Sequence, residues 1–289
     1  MDSAIKQPRS TAAALRRELS QRNIERVTKF EYESTYGNVP SIVYRAEAGV
    51  HGNFLPASYR AICSAPDWAK RLKKKYSGGR WIARSGERER CELDCANSSD
   101  ALLMNVFCYP RLLRRAQLCA LLGIQTGLRP EFGFKPRIPF ANGRTDQTEI
   151  DMSLGHLLIE AKLTETGFQT APVDRLLRYR DIRKIFDIDE LPIEGGAVHS
   201  YQLIRGVLAA YLWQRSFLLL CDGRRRELAE CWLQILRAVR DCGLRSQLAL
   251  LTWQELAHTV PKNLRLFLEN KYGICSIFSS DEGMKLFRA

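Results

Sequence analysis

Residues 147–163 read QTEIDMSLGHLLIEAKL and carry the strongest structural signal in the chain. Apolar and polar residues alternate on both sides of Leu154-Gly155-His156, which is typical of two strands joined by a hairpin turn that contains glycine. The spacing predicts one strand over 147–153 and a second over 157–163. The leucine-rich start of the second strand indicates that both of its faces are covered, as in the centre of a sheet.

The charged side chains of this hairpin are expected to gather on one face. Strand side chains alternate with a period of two, so Glu149 and Asp151 share a face, and so do Glu160 and Lys162. If the two faces coincide, three carboxylates and one ammonium converge inside a sheet, where unpaired burial is very costly. A divalent cation bound by Asp151 and Glu160 would offset the repulsion, and oxygen ligands favour Mg²⁺ or Mn²⁺. Lys162 would then position or activate water and stabilise the charge that develops in phosphodiester hydrolysis.

The segments around the hairpin alternate between helix and strand. The sequence predicts helices over 98–107, 112–122, 172–186, 201–213 and 226–241, and extended segments over 131–140, 217–221 and 247–252. A hairpin followed by helix, strand, helix and strand predicts an α/β fold with a mixed central β-sheet flanked by helices.

Residues 1–98 differ from residues 99–289 and are interpreted as an N-terminal helical and loop-rich extension of a catalytic domain. A charged helix is predicted over 12–27, and a basic run with interleaved tryptophan and tyrosine begins at Lys70. Two interpretations of this run stay open, a solvated helix face or a surface that follows phosphates and stacks bases. In the second interpretation the DNA-binding residues are Lys73, Lys74, Lys75 and Arg80.

Composition and charge narrow the class of protein. The 289 residues are 45% apolar, enough for a sizeable core, and 44 Lys and Arg against 32 Asp and Glu give a net charge of +12, which favours polyanionic partners. Arg224-Arg225-Arg226 is interpreted either as a phosphate contact or as a solvated loop. Phosphate-cradling P-loop and GxGxxG motifs and the GxSxG hydrolase motif do not occur in the sequence. No signal-peptide pattern or long apolar run occurs, so we expect a cytoplasmic protein without a membrane partner.

The pairing of Asp151 with Glu160-Ala161-Lys162, after eight intervening residues, resembles the motif of the PD-(D/E)xK nuclease superfamily, and most of all bacterial restriction endonucleases of undefined target. The resemblance covers about residues 99–252 and implies a restriction-endonuclease-like core. It implies Asp151, Glu160 and the Ala161 carbonyl as metal ligands and Lys162 as the catalytic lysine. Gln202, in the following helix, matches a glutamine that several branches carry beside the active site, where it would orient water or phosphate.

Two departures and one further acid accompany this resemblance. Ile150 stands where the motif has proline, which supplies no ligand, and Gly206 stands where some branches have tyrosine. Many members also draw an acid from the first core helix, where Asp100 is the candidate, although a helix cap is its competing role.

These observations support the hypothesis of a Mg²⁺-dependent (or Mn²⁺-dependent) DNA endonuclease of the restriction type. Its partner would be double-stranded DNA, and cutting both strands often requires two active sites and hence a homodimer. A cognate methyltransferase would accompany such an enzyme. Three alternatives stay open: a structural ion-pair network across the hairpin, a catalytically silent nucleic-acid-binding protein, and a repair or recombination nuclease.

Overall fold

The computed structural model describes residues 11–35, 41–76 and 90–275, and helices and strands are distributed throughout them. The α-helices are α1 (Ala12–Arg26), α2 (Pro56–Ser64), α3 (Pro66–Ala69), α4 (Ser99–Phe107), α5 (Ala116–Leu122), α6 (Val173–Leu176), α7 (Ile182–Ile185), α8 (Tyr201–Trp213), α9 (Arg226–Ala238), α10 (Cys242–Ser246), α11 (Trp253–Ala257) and α12 (Lys262–Tyr272). Short 3₁₀ turns cover Val27–Lys29, Lys70–Lys73, Glu92–Asp94 and Leu112–Arg114.

In the part of the chain that the structure describes, the strands form one central sheet and three small ones. They are β1 (Tyr32–Ser34), β2 (Ile42–Tyr44), β3 (Ala46–Glu47), β4 (Val50–His51), β5 (Glu131–Phe134), β6 (Ile150–Leu154), β7 (Leu157–Ala161), β8 (Ala171–Pro172), β9 (Ile193–Glu194), β10 (Ala197–Val198), β11 (Ser216–Cys221) and β12 (Leu248–Thr252). The central sheet has the order β12-β11-β7-β6-β5. Pairs β5–β6 and β6–β7 are antiparallel, whereas β7–β11 and β11–β12 are parallel. The predicted mixed sheet is confirmed.

The local geometry explains this topology. The β6–β7 hairpin turns at Gly155, whose φ of +60° is the left-handed conformation that glycine adopts without strain. Parallel strands cannot be joined by a tight turn and need a crossover. Helix α8 lies between β7 and β11 in the chain, and helix α9 lies between β11 and β12.

Two apolar cores cover the two faces of the sheet. Ile159 and Ala161 of β7 pack in one core with residues of α1, α4 and α12, while Leu158 packs in the other with residues of α8 and α9. Both faces of the central strand are therefore buried, as its leucine-rich sequence predicts. Alternation puts Glu160 on the face of Leu158, beneath helix α8.

The prediction of a single helix over 172–186 is wrong. Helices α6 and α7 cover only parts of that range, and the backbone between them pairs with another segment. The Arg180 N–H donates to the Pro139 carbonyl at 3.1 Å, and the Arg178 carbonyl accepts from the Ala141 N–H at 2.8 Å. These long-range hydrogen bonds replace helical ones, so the helix is interrupted.

The N-terminal helix packs directly on the region that follows residue 98. The helix predicted over 12–27 is confirmed as α1, and its Leu15 and Leu19 are fully buried in the same core as α4 and α12. The division of the chain at residue 98 stays a prediction. Among the described helices, none has the length and apolar character needed to cross a membrane.

Candidate active site

A cleft of about 340 Å³ opens where β7 ends and brings together several of the predicted site residues. Its lining consists of Lys74, Glu92, Ser99, Asp100, Asp151, Lys162, Glu165, Thr166, Gly167, Gln169 and Gln202. Asp151, Lys162 and Gln202, which come from β6, the end of β7 and α8, therefore face one space. Lys74 reaches it from the N-terminal region.

Strand register brings the paired acids of the motif side by side. Met152 pairs with Ile159 in the β6–β7 ladder, so the next position along it sets Asp151 against Glu160. The Asp151 carboxylate accepts a hydrogen bond from the Ala161 N–H at 2.8 Å. The Lys162 ammonium donates to the Glu160 carboxylate at 2.6 Å, and both side chains are 6% exposed. The two polar faces of the hairpin thus coincide at Asp151, Glu160 and Lys162.

The electrostatics of this group favour an additional positive charge. Burial and the neighbouring Glu160 and Asp100 carboxylates raise the pKa of Asp151 well above its usual range. Burial opposes the charge of Lys162, but the Glu160 and Asp151 carboxylates outweigh it and raise the pKa of the ammonium. One lysine therefore remains charged but does not neutralise the buried acids.

The donor set of the site fits a hard divalent cation. Asp151, Glu160 and the Ala161 carbonyl supply oxygen ligands, which suit Mg²⁺ or Mn²⁺. Within residues 11–35, 41–76 and 90–275, no three acidic, histidine or cysteine side chains form a ready metal-binding group. A cation here would thus have two carboxylate ligands and take its remaining ligands from backbone, water or substrate oxygens, as Mg²⁺ commonly does.

Helix α8 brings Gln202 to the cleft wall opposite the hairpin. The Gln202 N–H donates to the Phe168 carbonyl at 2.9 Å, and the Tyr201 N–H donates to the Gln169 carbonyl at 3.1 Å. These hydrogen bonds connect the first turn of α8 to residues 166–169, a segment that lines the cleft. The buried Phe168 ring has its centre 5.8 Å from the Lys162 ammonium.

Glu149 and Asp100 are each paired with a cation from the N-terminal region. Arg71 donates to the Glu149 carboxylate at 2.9 Å and to the Asp100 carboxylate at 3.2 Å, and Lys74 donates to Asp100 at 2.6 Å. Glu149 is not among the cleft-lining residues, and its side chain is 35% exposed. The structure thus brings Glu149 to the edge of the site rather than into it.

The predicted DNA-binding residues have different surroundings. Lys74 lines the cleft, Lys73 is exposed, and Lys75 is exposed on the segment that bridges to Cys91. Arg80 lies outside the described residues.

Sequence reasoning assigned no site role to Glu92 or Glu165, and it considered Arg71 only as a member of the basic run that begins at Lys70. Arg71 and Glu92 reach the site from residues before 98, across long-range contacts that leave no local pattern. Glu165 lies three residues after Lys162, so its closeness to the Glu160-Ala161-Lys162 motif was a sequence signal that could have indicated it. Burial and Asp100 raise the pKa of the Glu92 carboxyl to about 7, against the opposing effect of Lys74.

Both interpretations of the arginine run at 224–226 are wrong for its first two members. Arg225 is buried, and its guanidinium donates to backbone carbonyls rather than to solvent. Arg224 donates to the Asp222 carboxylate at 2.7 Å and to Glu18 of α1 at 2.9 Å. These arginines connect elements of the fold.

Comparison with known proteins relates the chain to a family. A family model described as "Restriction Endonuclease associating with ARP" matches residues 9–273, which is nearly the whole described chain. No curated protein and no solved structure matches the chain.

Proposed function

Because the chain belongs to the family of restriction endonucleases associating with ARP, we propose that it is a metal-dependent endonuclease that hydrolyses phosphodiester bonds of double-stranded DNA. The observation that supports this most strongly is the group of Asp151, Glu160 and Lys162, in which the Glu160–Lys162 pair is buried while Asp151 and Lys162 line a solvent-accessible cleft. Buried acids around one lysine are costly for stability, and a catalytic role accounts for that cost.

Each residue of the group has a distinct role in this proposal. Asp151, Glu160 and the Ala161 carbonyl would hold Mg²⁺ or Mn²⁺. Such an ion, when bound, polarises the phosphoryl oxygen and makes a bound water more acidic. Lys162 orients the attacking water and stabilises the negative charge that builds on the phosphoryl group. Gln202, on the opposite wall, holds water or a phosphate oxygen by hydrogen bonds.

The basic residues before the core supply affinity for the DNA backbone. Lys73, Lys74, Lys75 and Arg80 would contact phosphates, and the net charge of +12 favours the approach of a polyanion. A restriction-type activity on both strands suggests a homodimer in the cytoplasm, together with a methyltransferase that protects host DNA.

Plasmid cleavage tests the proposal directly. Wild-type protein with Mg²⁺ or Mn²⁺ should cut supercoiled DNA, and EDTA should stop the reaction. D151N and K162M should each lower the rate by about 100-fold or more while DNA binding in gel-shift assays stays within about threefold. The matched controls D174N and K262M change exposed residues outside the cleft and should cut normally. Cleavage that survives both D151N and K162M would refute the assignment.

Metal-linked stability separates an active nuclease site from a silent nucleic-acid-binding protein. A ligand that binds only the folded state raises the melting temperature, and the increase grows with the ratio of ligand concentration to Kd. Mg²⁺ or Mn²⁺ at millimolar concentration should therefore raise the melting temperature of wild-type protein, and E160Q should abolish that increase. Equal increases in melting temperature in wild-type protein and E160Q would show that the metal binds elsewhere.

The pattern of DNA cleavage separates two kinds of nuclease. Discrete cleavage products would favour an endonuclease, whereas degradation from ends would favour a repair or recombination nuclease.

A further inference from the structure

The backbone just after strand β7 is held by side chains from other elements. Four consecutive carbonyl oxygens each accept a side-chain hydrogen bond: Lys162 from Trp253 at 3.0 Å, Leu163 from Arg225 at 3.0 Å, Thr164 from Arg16 at 3.1 Å, and Glu165 from Arg225 at 2.8 Å. We call Arg16, Arg225 and Trp253 the carbonyl clamp. Its members come from α1, the residue before α9, and α11.

The carbonyls of this segment do not need protein donors merely to satisfy their hydrogen bonds. Carbonyls beyond a strand end can be hydrated when the segment lies at the surface. Here the Arg225 side chain is fully buried, and a buried guanidinium is costly unless its donors are used. Its third contact is the Glu227 carboxylate at 2.5 Å, which is 44% exposed. The hydrogen bonds from Arg225 to the carbonyls of residues 163 and 165 thus offset most of the cost of burying its guanidinium.

The clamped segment connects the lysine of the site to helix α4. It begins at Lys162 and ends at Glu165, whose carboxylate accepts from the Leu163 N–H at 2.6 Å and from the Ser99 hydroxyl at 2.5 Å. Ser99 precedes Asp100 at the start of α4. Movement of the segment would therefore change both the position of Lys162 and the cleft wall that Glu165 and Asp100 share.

We propose that Arg16 and Arg225 are positioning residues, which fix residues 162–165 so that the Lys162 ammonium stays on Glu160 and faces the cleft. This inference rests on the proposed nuclease function. Neither arginine lines the cleft, so each would act through the backbone that carries Lys162. Displacement of a reacting group by about 1 Å can cost up to about 100-fold in rate.

Arg16 is the better residue for the test, because it is half-buried and makes one of the four bonds, so its loss should leave the fold intact. R16Q should lower kcat for plasmid cleavage by about tenfold, with KM for DNA within about twofold. R16K keeps a cationic donor and should recover most of kcat. R17Q removes the adjacent, exposed arginine of the same helix and is the matched control, with unchanged kcat.

Amide hydrogen exchange supplies a second readout that does not depend on cleavage. In R16Q, and more strongly in R225K, amides of residues 162–167 should exchange about tenfold faster or more, while those of β11 stay unchanged. Equal kcat and equal exchange in R16Q and R17Q would overturn the inference while leaving the nuclease assignment intact. Faster exchange with unchanged kcat, or lower kcat with unchanged exchange, would also overturn it. Wild-type protein that does not cut DNA would instead refute the proposed function.

Discussion

Glu92 shows at the scale of one residue how the cleft makes the stability of the protein depend on pH. Its ordinary pKa is 4.5, and burial together with Asp100 raises the pKa to about 7 in the folded protein. Between these two values the folded state binds more protons than the unfolded state. The free energy of unfolding therefore falls as pH rises through this window.

E92Q removes this ionisation and should stabilise the protein at high pH. Relative to wild type, we expect its free energy of unfolding to be higher by on the order of 2 kcal/mol at pH 8 and nearly equal at pH 4. Urea unfolding in EDTA at both pH values measures the difference. E190Q changes an exposed carboxylate and is the control. A stability difference that does not vary with pH would contradict the raised pKa of Glu92.

Lys74 is the predicted DNA-binding residue with the most direct access to the reaction. Its ammonium lies on the cleft wall, paired with Asp100, and its side chain is 36% exposed. A phosphate entering the cleft would meet this charge, so K74Q should raise KM for DNA by about tenfold and reduce the salt dependence of binding by about one unit of slope. K262Q, on α12, serves as the control. Unchanged KM and salt slope in K74Q would exclude a phosphate contact at this position.

At the scale of elements, the hairpin was predictable because its information is local. Alternation along β6 and β7 and the turn at Gly155 specify which side chains meet. The strand boundary was less accurate: β6 begins at Ile150 rather than at 147, because the Asp146 carboxylate accepts from the Thr148 N–H and hydroxyl and holds a turn there. The interrupted helix at 172–186 depends on long-range pairing with residues 139–141, which no local pattern encodes.

Gly206 explains why helix α8 can lie so close to the sheet. A Cβ atom at this position would stand 2.2 Å from the Phe217 ring of β11, which is buried and packs against Trp232. Packing therefore requires Gly206, which stands where some branches of the family that the sequence resembles have tyrosine. That close approach also helps to place Gln202, one turn earlier on α8, over the cleft.

G206A should destabilise the protein by about 1–3 kcal/mol, because a well-packed core does not accept an added methyl group without displacement. G167A is the matched control, since no atom lies within 4 Å of the position of its added Cβ. Urea unfolding measures both. F217L should partly relieve the clash, so the cost of G206A should be smaller in that background. Equal costs at the two glycines, or in the two backgrounds, would argue against the contact with Phe217.

At the scale of the whole molecule, the site combines parts that sequence reasoning could find with parts that it could not. Asp151, Glu160 and Lys162 follow from local alternation and a short motif. Lys74 reaches the same cleft from the N-terminal region, and Arg71 pairs with Asp100 and Glu149 beside it. No periodicity or spacing in the sequence predicts either contact. The basic run was recognised by its composition, but its ion pairs with Asp100 and Glu149 depend on the packing of the folded chain.

The same packing predicts that residues 99–289 do not fold alone. Removal of residues 1–98 would uncover part of the core that Leu15 and Leu19 share with α4 and α12, and each such leucine is worth about 2–5 kcal/mol. It would also remove Asn23, whose side-chain oxygen accepts from the buried Lys271 ammonium at 2.9 Å. These losses together approach or exceed the whole stability of a typical domain.

A fragment starting at Ser99 should therefore show no cooperative thermal transition by circular dichroism and should be digested rapidly by protease. A fragment starting at Thr11, the residue that caps α1, keeps all of these contacts and should melt within a few degrees of the full chain. L19A in the full chain should give an intermediate loss of stability. If the fragment from Ser99 instead unfolds cooperatively near the temperature of the full chain, the N-terminal region is an independent extension, and its contacts with α4 and α12 contribute little to the stability of the core.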